Sequence, residues 1–190
     1  MEDRNDIRRK KNMIQYCKRC CLPSTKPHLS FDEEGICNAC RNYENRKNVD
    51  WDERKKELME ILDRYRSKDG SNWDCIIPVS GGKDSTYQVI TMLELGMNPL
   101  CVTATTCDLT DIGRRNIENI KKMGVDYIEV TTNRVVRAKL NRIGLTEVGD
   151  ISWPEHVSIF TVPVRMAVNF NVPLIIWGEN SQNEYGGPAA

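Results

Sequence analysis

The stretch DCIIPVSGGKDSTYQVITMLELG, residues 74–96, constrains this chain more than any other. A short apolar run (74–79) reads as a strand, two glycines make a turn, and residues 84–96 read as a helix that ends near Gly96. The same alternation continues downstream. PLCVTA (99–104), DYIEV (126–130) and VPLIIW (172–177) read as strands. Residues 110–123, 133–143 and 156–170 read as helices, the last with Pro163 as a kink or a restart. Strands alternating with helices predict an α/β fold built on a doubly wound parallel sheet. Ligands of such sheets bind beyond the carboxyl ends of the strands. The loops SGGKDS, TTCDLTDIG and GENSQNEYGG each follow a strand, so they are expected to gather at one edge.

The loop 80–85 is not an ordinary P-loop. That motif needs G-x-x-x-x-G-K-[ST], whereas here Gly82-Lys83 is followed by Asp84 and preceded, five residues back, by Ile77. The G-x-G-x-x-G dinucleotide fingerprint fails as well. What remains is a glycine-rich turn entering a helix, where backbone N–H groups can cradle a phosphate and glycines allow close approach. Ser80 and Ser85 add hydroxyls and Lys83 a positive charge, while Asp84 suits Mg²⁺ or a helix cap. Ser80, Gly81, Gly82, Asp84 and Ser85 match every fixed position of S-G-G-x-D-S, so the chain resembles the PP-loop (pyrophosphatase-loop) ATP enzymes, HUP-type folds. The resemblance implies that ATP is cut between its α- and β-phosphates. The loop would grip the leaving pyrophosphate, Mg²⁺ would bridge the phosphates, and Lys83 and Asp84 would be the catalytic pair.

Eight cysteines carry a second signal. Cys17-x-x-Cys20 and Cys37-x-x-Cys40 lie sixteen residues apart, a spacing that presents four thiolates to one structural Zn²⁺. Reduced thiols or an iron–sulfur centre are the alternatives. Cys21 competes with Cys20 as ligand, and knuckle spacing favours Cys20. Cys75 and Cys101 fall in strands and read as core thiols, and Cys107 lies near the expected site. The expected organisation is a mobile basic arm (1–16), a four-cysteine zinc ribbon (17–50), an amphipathic helix and linker (51–72), and a PP-loop α/β domain (73–190). Trp51, Leu58, Ile61, Leu62 and Tyr65 would form the apolar face of that helix.

Charge and hydropathy narrow the classes. The chain of 190 residues is neutral, with 27 Lys/Arg against 27 Asp/Glu. Residues 1–50 hold 11 Lys/Arg and 8 Asp/Glu, which is a weak basic footprint for an RNA binder. No run of about 18 apolar residues predicts a membrane span, and MEDRNDIRRKKN lacks the apolar core of a secretory signal. A cytoplasmic protein that binds neither membrane nor nucleic acid is expected.

The acceptor is suggested further downstream. IFTVPVRMAVNFNVPLIIWGENSQNEYGG (159–187), TDIGRRNIENIKKMGVDYIEV (110–130), the cysteine knuckles and SGGKDS together resemble the N-acetyl sugar amidotransferases of surface-polysaccharide and flagellin-glycan biosynthesis. The resemblance spans residues 16–187, and WPEH (153–156) looks closest to the branch acting on nonulosonic acids such as pseudaminic and legionaminic acid. It implies conversion of an acetamido group to an acetamidino group through an O-adenylated intermediate, with AMP and pyrophosphate released. Family members run longer, so the chain is expected to be an N-terminal portion that binds ATP weakly and lacks activity by itself. Its only histidines are His28 and His156, and no Cys–His glutaminase signature is visible, so ammonia is expected from a separate glutaminase partner. His156, Glu179, Asn180 and Tyr185 are candidate substrate contacts, with loop hydrogen bonding or helix capping as the ordinary alternative. Asp108 and Asp111 either help bind nucleotide or cap a helix, and Trp177 reads as core. The rivals are a tRNA-thiolating PP-loop enzyme and a non-catalytic zinc-bearing interaction module.

Overall fold

The computed structural model describes residues 14–105 and 109–178. These divide into two compact units, at residues 14–54 and 55–178. The first unit is loop-rich. Isolated antiparallel bridges join Tyr16 to Pro23 and Phe31 to Cys37, and a short helix, α1 (Asn38–Asn45), follows. Asp32 organises the turn before Cys37. Its carboxylate accepts from the N–H groups of Ile36 (2.8 Å) and Glu34 (3.1 Å) and from Arg41 Nη1 (3.0 Å). The N–H bond of Ile36, then the Arg41 guanidinium, hold its pKa below the usual carboxylate range.

The second unit is the α/β body. Its helix α2 (Trp51–Tyr65) begins just before the division. Then come β1 (Cys75–Pro78), α3 (Lys83–Glu94), β2 (Pro99–Thr105), α4 (Asp111–Lys121), β3 (Asp126–Thr131), α5 (Arg134–Ile143), a π-helical turn (Gly144–Val148) and α6 (Trp153–Asn169). The strands pair in parallel in the order β1-β2-β3. On the free side of β1, Ile76 bridges in parallel to Ile175. The sheet order therefore reverses at β1, the switch point where ligands of doubly wound sheets bind.

Alternation along the strands sends apolar side chains to both faces. Cys75, Ile77 and Cys101 pack against Leu62, Val89, Met92 and Ile120 of α2, α3 and α4. Ile76, Leu100 and Val102 pack on the other face against Ala167 of α6 and Val172. Both faces of the parallel strands are thus covered. Burial pushes the Cys75 and Cys101 thiols up to about 12, so they are neutral core groups at physiological pH.

Three expectations need correction. The fourth strand shrinks to a single bridge, made by Ile76 N–H to Leu174 O and Ile176 N–H to Ile76 O, both 2.9 Å. Pro78, the next β1 residue facing that side, has no N–H to extend the ladder. On α2 the buried face is Leu58, Met59 and Leu62, whereas Trp51 and Ile61 are exposed. The last helix starts at Trp153, three residues early, because Pro154 fits the first turn of a helix; Pro163 then lies within it. Among the described residues, no helix is long and apolar enough to cross a membrane.

Candidate functional site

The carboxyl end of β1 delivers the SGGKDS loop. Val79 N–H bonds to Val102 O (2.9 Å), and the buried Thr103 hydroxyl ties Val79 O to β2 while meeting Tyr127 Oη of β3. The strand end is therefore anchored before the chain turns. Gly81 then adopts φ +79° with its Cα against α4. A Cβ there would lie 3.2 Å from Ile117 Cγ1 and 3.3 Å from Asn116 Cβ. Both the left-handed backbone and the close approach require glycine.

Gly82 is the N-cap of α3 and supplies no side-chain cap. The first-turn N–H groups are thus left without the usual side-chain acceptor. The hydroxyls keep the loop in shape: Ser80 Oγ accepts from Gly82 N–H (3.3 Å), Ser85 Oγ donates to Gly82 O (3.2 Å), and Thr86 Oγ1 donates to Gly82 O (2.8 Å). Lys83 and Asp84 face solvent with side chains 87% and 71% exposed, and Lys83 Nζ lies 2.6 Å from Asp84 Oδ2. Such an exposed neighbour pair contributes little to stability, so both groups are free to re-pair with a phosphate and a cation. An uncapped helix start with a lysine beside it suits a polyphosphate. Asp84 is not the cap of α3, and Thr110 rather than Asp111 caps α4, accepting from Gly113 N–H at 3.1 Å.

Close contacts join α4 to the 80–85 loop and α3 to Gly178. Gly113 O lies 3.4 Å from the Cβ position of Gly81, and Gln88 Oε1 of α3 lies 3.0 Å from that of Gly178. Cys107, Asp108, Glu179, Asn180 and Tyr185 lie outside the described residues. His156 sits exposed in the first turn of α6, its N–H bonded to Ser152 O. Trp177 packs on Phe160 with ring centroids 5.3 Å apart.

A second concavity escaped the sequence reading. A cavity of about 380 Å³ lies at the carboxyl ends of β2 and β3, lined among others by Arg114, Glu129, Arg134, Arg137, Asn141 and Glu155. Arg114 grips Glu129 in a fork, Nη1 to Oε2 at 2.8 Å and Nη2 to Oε1 at 3.0 Å, and Thr105 Oγ1 donates to the same carboxylate at 2.9 Å. The Arg114 bond holds Glu129 ionised, below its ordinary pKa. The loop and the cavity share α4, which backs Gly81 with Asn116 and Ile117 and reaches the cavity with Arg114.

In the first unit Cys17, Cys20, Cys37 and Cys40 place their sulfurs within 4.8 Å of one another. Cys17–Cys40 is 4.0 Å and Cys20–Cys37 3.5 Å. Tetrahedral bonds of about 2.3 Å to zinc require sulfurs roughly 3.8 Å apart, so the cluster fits the ion. Cys20 belongs to this set, and Cys21, at φ +60°, does not. The N–H of Cys20, followed by those of Cys37 and Arg19, lowers the Cys17 thiol to about 6, while desolvation raises Cys40 to about 12. Neighbouring thiolates repel, and a cation is what lets all four ionise together.

Comparison with known proteins adds the fold type. No family model matches the chain. An uncharacterized protein of Methanocaldococcus jannaschii is 31% identical over 108 residues, which is 56% of this chain and 38% of that protein. NMN synthetase from Francisella tularensis superposes with a TM-score of 0.51 at 14% identity, covering 68% of this chain and 55% of that one. A predicted subunit of tRNA methyltransferase from M. jannaschii gives a TM-score of 0.42 at 18% identity, over 60% of this chain and 57% of its own. The chain thus spans 38% of the curated relative and 55% of NMN synthetase. The fold, a parallel α/β sheet, is thus one that NMN synthetase shares, and it is accompanied by a four-cysteine cluster able to form a zinc ribbon.

Proposed function

We propose that this chain carries the ATP site of an AMP-forming amidotransferase that converts an acetamido group of a sugar to an acetamidino group in surface-glycan biosynthesis. The observation that carries ATP use is the uncapped start of α3 at the sheet's switch point, held there by a left-handed, closely packed Gly81 that a side chain would strain. The acceptor rests on the resemblance of residues 110–130 and 159–187 to the N-acetyl sugar amidotransferases.

The chemistry follows from what an amide lacks, a good leaving group. The acetamido oxygen attacks the α-phosphorus of ATP, the bond to the β-phosphate oxygen breaks, and pyrophosphate departs. Ammonia then attacks the imidate carbon, loses a proton, and AMP leaves with the former amide oxygen. In this reading Ser80, Gly81, Gly82 and Ser85 bind the pyrophosphate and Lys83 neutralises charge that grows on it. Asp84 would hold Mg²⁺, which shields the phosphates. His156, Glu179, Asn180 and Tyr185 are proposed to contact the sugar. A separate glutaminase is proposed to supply ammonia, the four cysteines to hold a structural zinc ion, and the cytoplasm, where ATP is available, to house the protein.

The test is to incubate the longer protein expected to carry this chain with ATP, Mg²⁺, an acetamido nonulosonic acid and an ammonium salt. Sugar-dependent release of AMP and pyrophosphate is expected. Release that depends on tRNA would instead indicate the thiolation chemistry, and ADP as product would remove the reading altogether.

A further inference from the structure

Helix α5 is buried the wrong way round. Val135, Val136, Leu140 and Ile143 are exposed, Val135 by 66%, yet Arg137 is only 8% exposed. Arginine is rarely buried unless its donors are met. Nη2 of Arg137 donates to Thr132 Oγ1 (3.0 Å) and Ser158 Oγ (2.7 Å). Nη1 finds no hydrogen-bond partner among the described residues. The nearest carboxylate oxygen, Glu155 Oε1, is 4.0 Å away, too far for a hydrogen bond. One turn along the helix, Asn141 Oδ1 is also buried and without a partner. Both residues line the same cavity, so a buried cation-borne donor and a buried acceptor are both unmet at its wall. Each such group costs stability, and a ligand that meets both recovers that cost.

The cavity's other groups define the ligand. Glu129 is fully engaged by Arg114 and Thr105, whereas Arg137 faces Glu155 only across 4.0 Å. Thr131 and Thr132 add hydroxyls. Its volume lies within the range of small-molecule sites, about 300–1,000 Å³.

We propose that this cavity is an anion subsite for a hydroxyl-rich ligand, in which a carboxylate or phosphate oxygen accepts from Arg137 Nη1 and a hydroxyl or amide N–H donates to Asn141 Oδ1. That the ligand is the acetamido sugar itself rests on the proposed function. The subsite then selects acidic sugars over neutral ones, and α4 links it to the pyrophosphate loop through Arg114 and Ile117.

Calorimetric titration of the full chain tests this with N-acetylneuraminic acid, its methyl ester, N-acetylglucosamine 1-phosphate and N-acetylglucosamine. The acid or the phosphate ester is expected to bind, telling which oxyanion is recognised, with the neutral ligands at least about ten-fold weaker. Arg137→Lys weakens the charged ligand about ten-fold or more. Asn141→Ala weakens it too, yet leaves the melting temperature unchanged or higher, because it removes an unmet buried acceptor. Glu155→Gln tightens it, by up to about 5-fold, because it removes the competing carboxylate. Equal binding of neutral and charged sugars, no binding of any, or indifference of anion binding to both Asn141→Ala and Glu155→Gln overturns the inference. A parallel titration with Mg-ATP reads the loop alone: its failure removes the proposed function, whereas sugar-acid failure with ATP binding intact removes only the subsite.

Discussion

The SGGKDS loop and the arginine cavity lie along one sheet edge and share one helix, yet they are built in opposite ways. The loop is six consecutive residues whose chemistry is mostly backbone: a left-handed glycine, a bare helix start, and hydroxyls that fold back on Gly82. Its charged side chains are exposed and loosely paired. The cavity takes its groups from β2, β3 and three helices, and its key side chain is buried with a donor unmet. The comparison teaches that backbone-made sites travel as contiguous motifs, whereas side-chain-made sites depend on tertiary packing.

The shared helix gives the largest lever. Ile117 is fully buried and touches the Gly81 position. Ile117→Ala is expected to cost about 2–5 kcal/mol and to weaken ligands at both sites, measurable by urea denaturation and titration. Loss at only one site would mean that α4 does not couple them. Gly81→Ala is more local. A left-handed alanine costs about 1–2 kcal/mol, and its Cβ would press on Asn116 and Ile117. Pyrophosphate binding should vanish while the anion cavity keeps its affinity.

Acid sensitivity separates the two sites next. The folded-state pKa of Glu129 is depressed by Arg114. Its stabilisation is therefore present above the unfolded value of 4.5 and is lost as pH falls through the lower folded value. Denaturation curves near neutral pH and at acid pH should show a smaller acid loss in Arg114→Gln than in the wild type. An identical loss would mean that the fork does not set the acid limb. The smallest effect expected at either site comes from the cysteine module. Cys37→Ser should reduce zinc from about one ion per chain, as read by metal analysis, and an unchanged metal content would exclude the four-thiol site.

What the sequence revealed follows the same division. SGGKDS was legible because one strand, one turn and one helix suffice to build it. Cys17, Cys20, Cys37 and Cys40 were legible because their spacing is itself the geometry, which favoured Cys20 over Cys21, as the cluster does. The run VPLIIW looked like a strand, but Pro78 across the ladder, far away in sequence, cut it to one bridge. Arg137 was illegible because an arginine on an amphipathic helix ordinarily faces water. The available clue was a polar stripe, Arg134, Arg137 and Asn141 at helical spacing, and it becomes informative only once Val135 and Val136 are seen to be exposed.

The central claim is that the loop after β1 grips pyrophosphate. Titration of Mg-pyrophosphate and Mg-ATP into the wild type and Gly81→Ala tests it most directly. The account predicts saturable binding of both by the wild type, mutual competition between them, and loss of both in Gly81→Ala with the fold retained by circular dichroism. Absence of binding in the wild type, or binding that Gly81→Ala leaves intact, would contradict it.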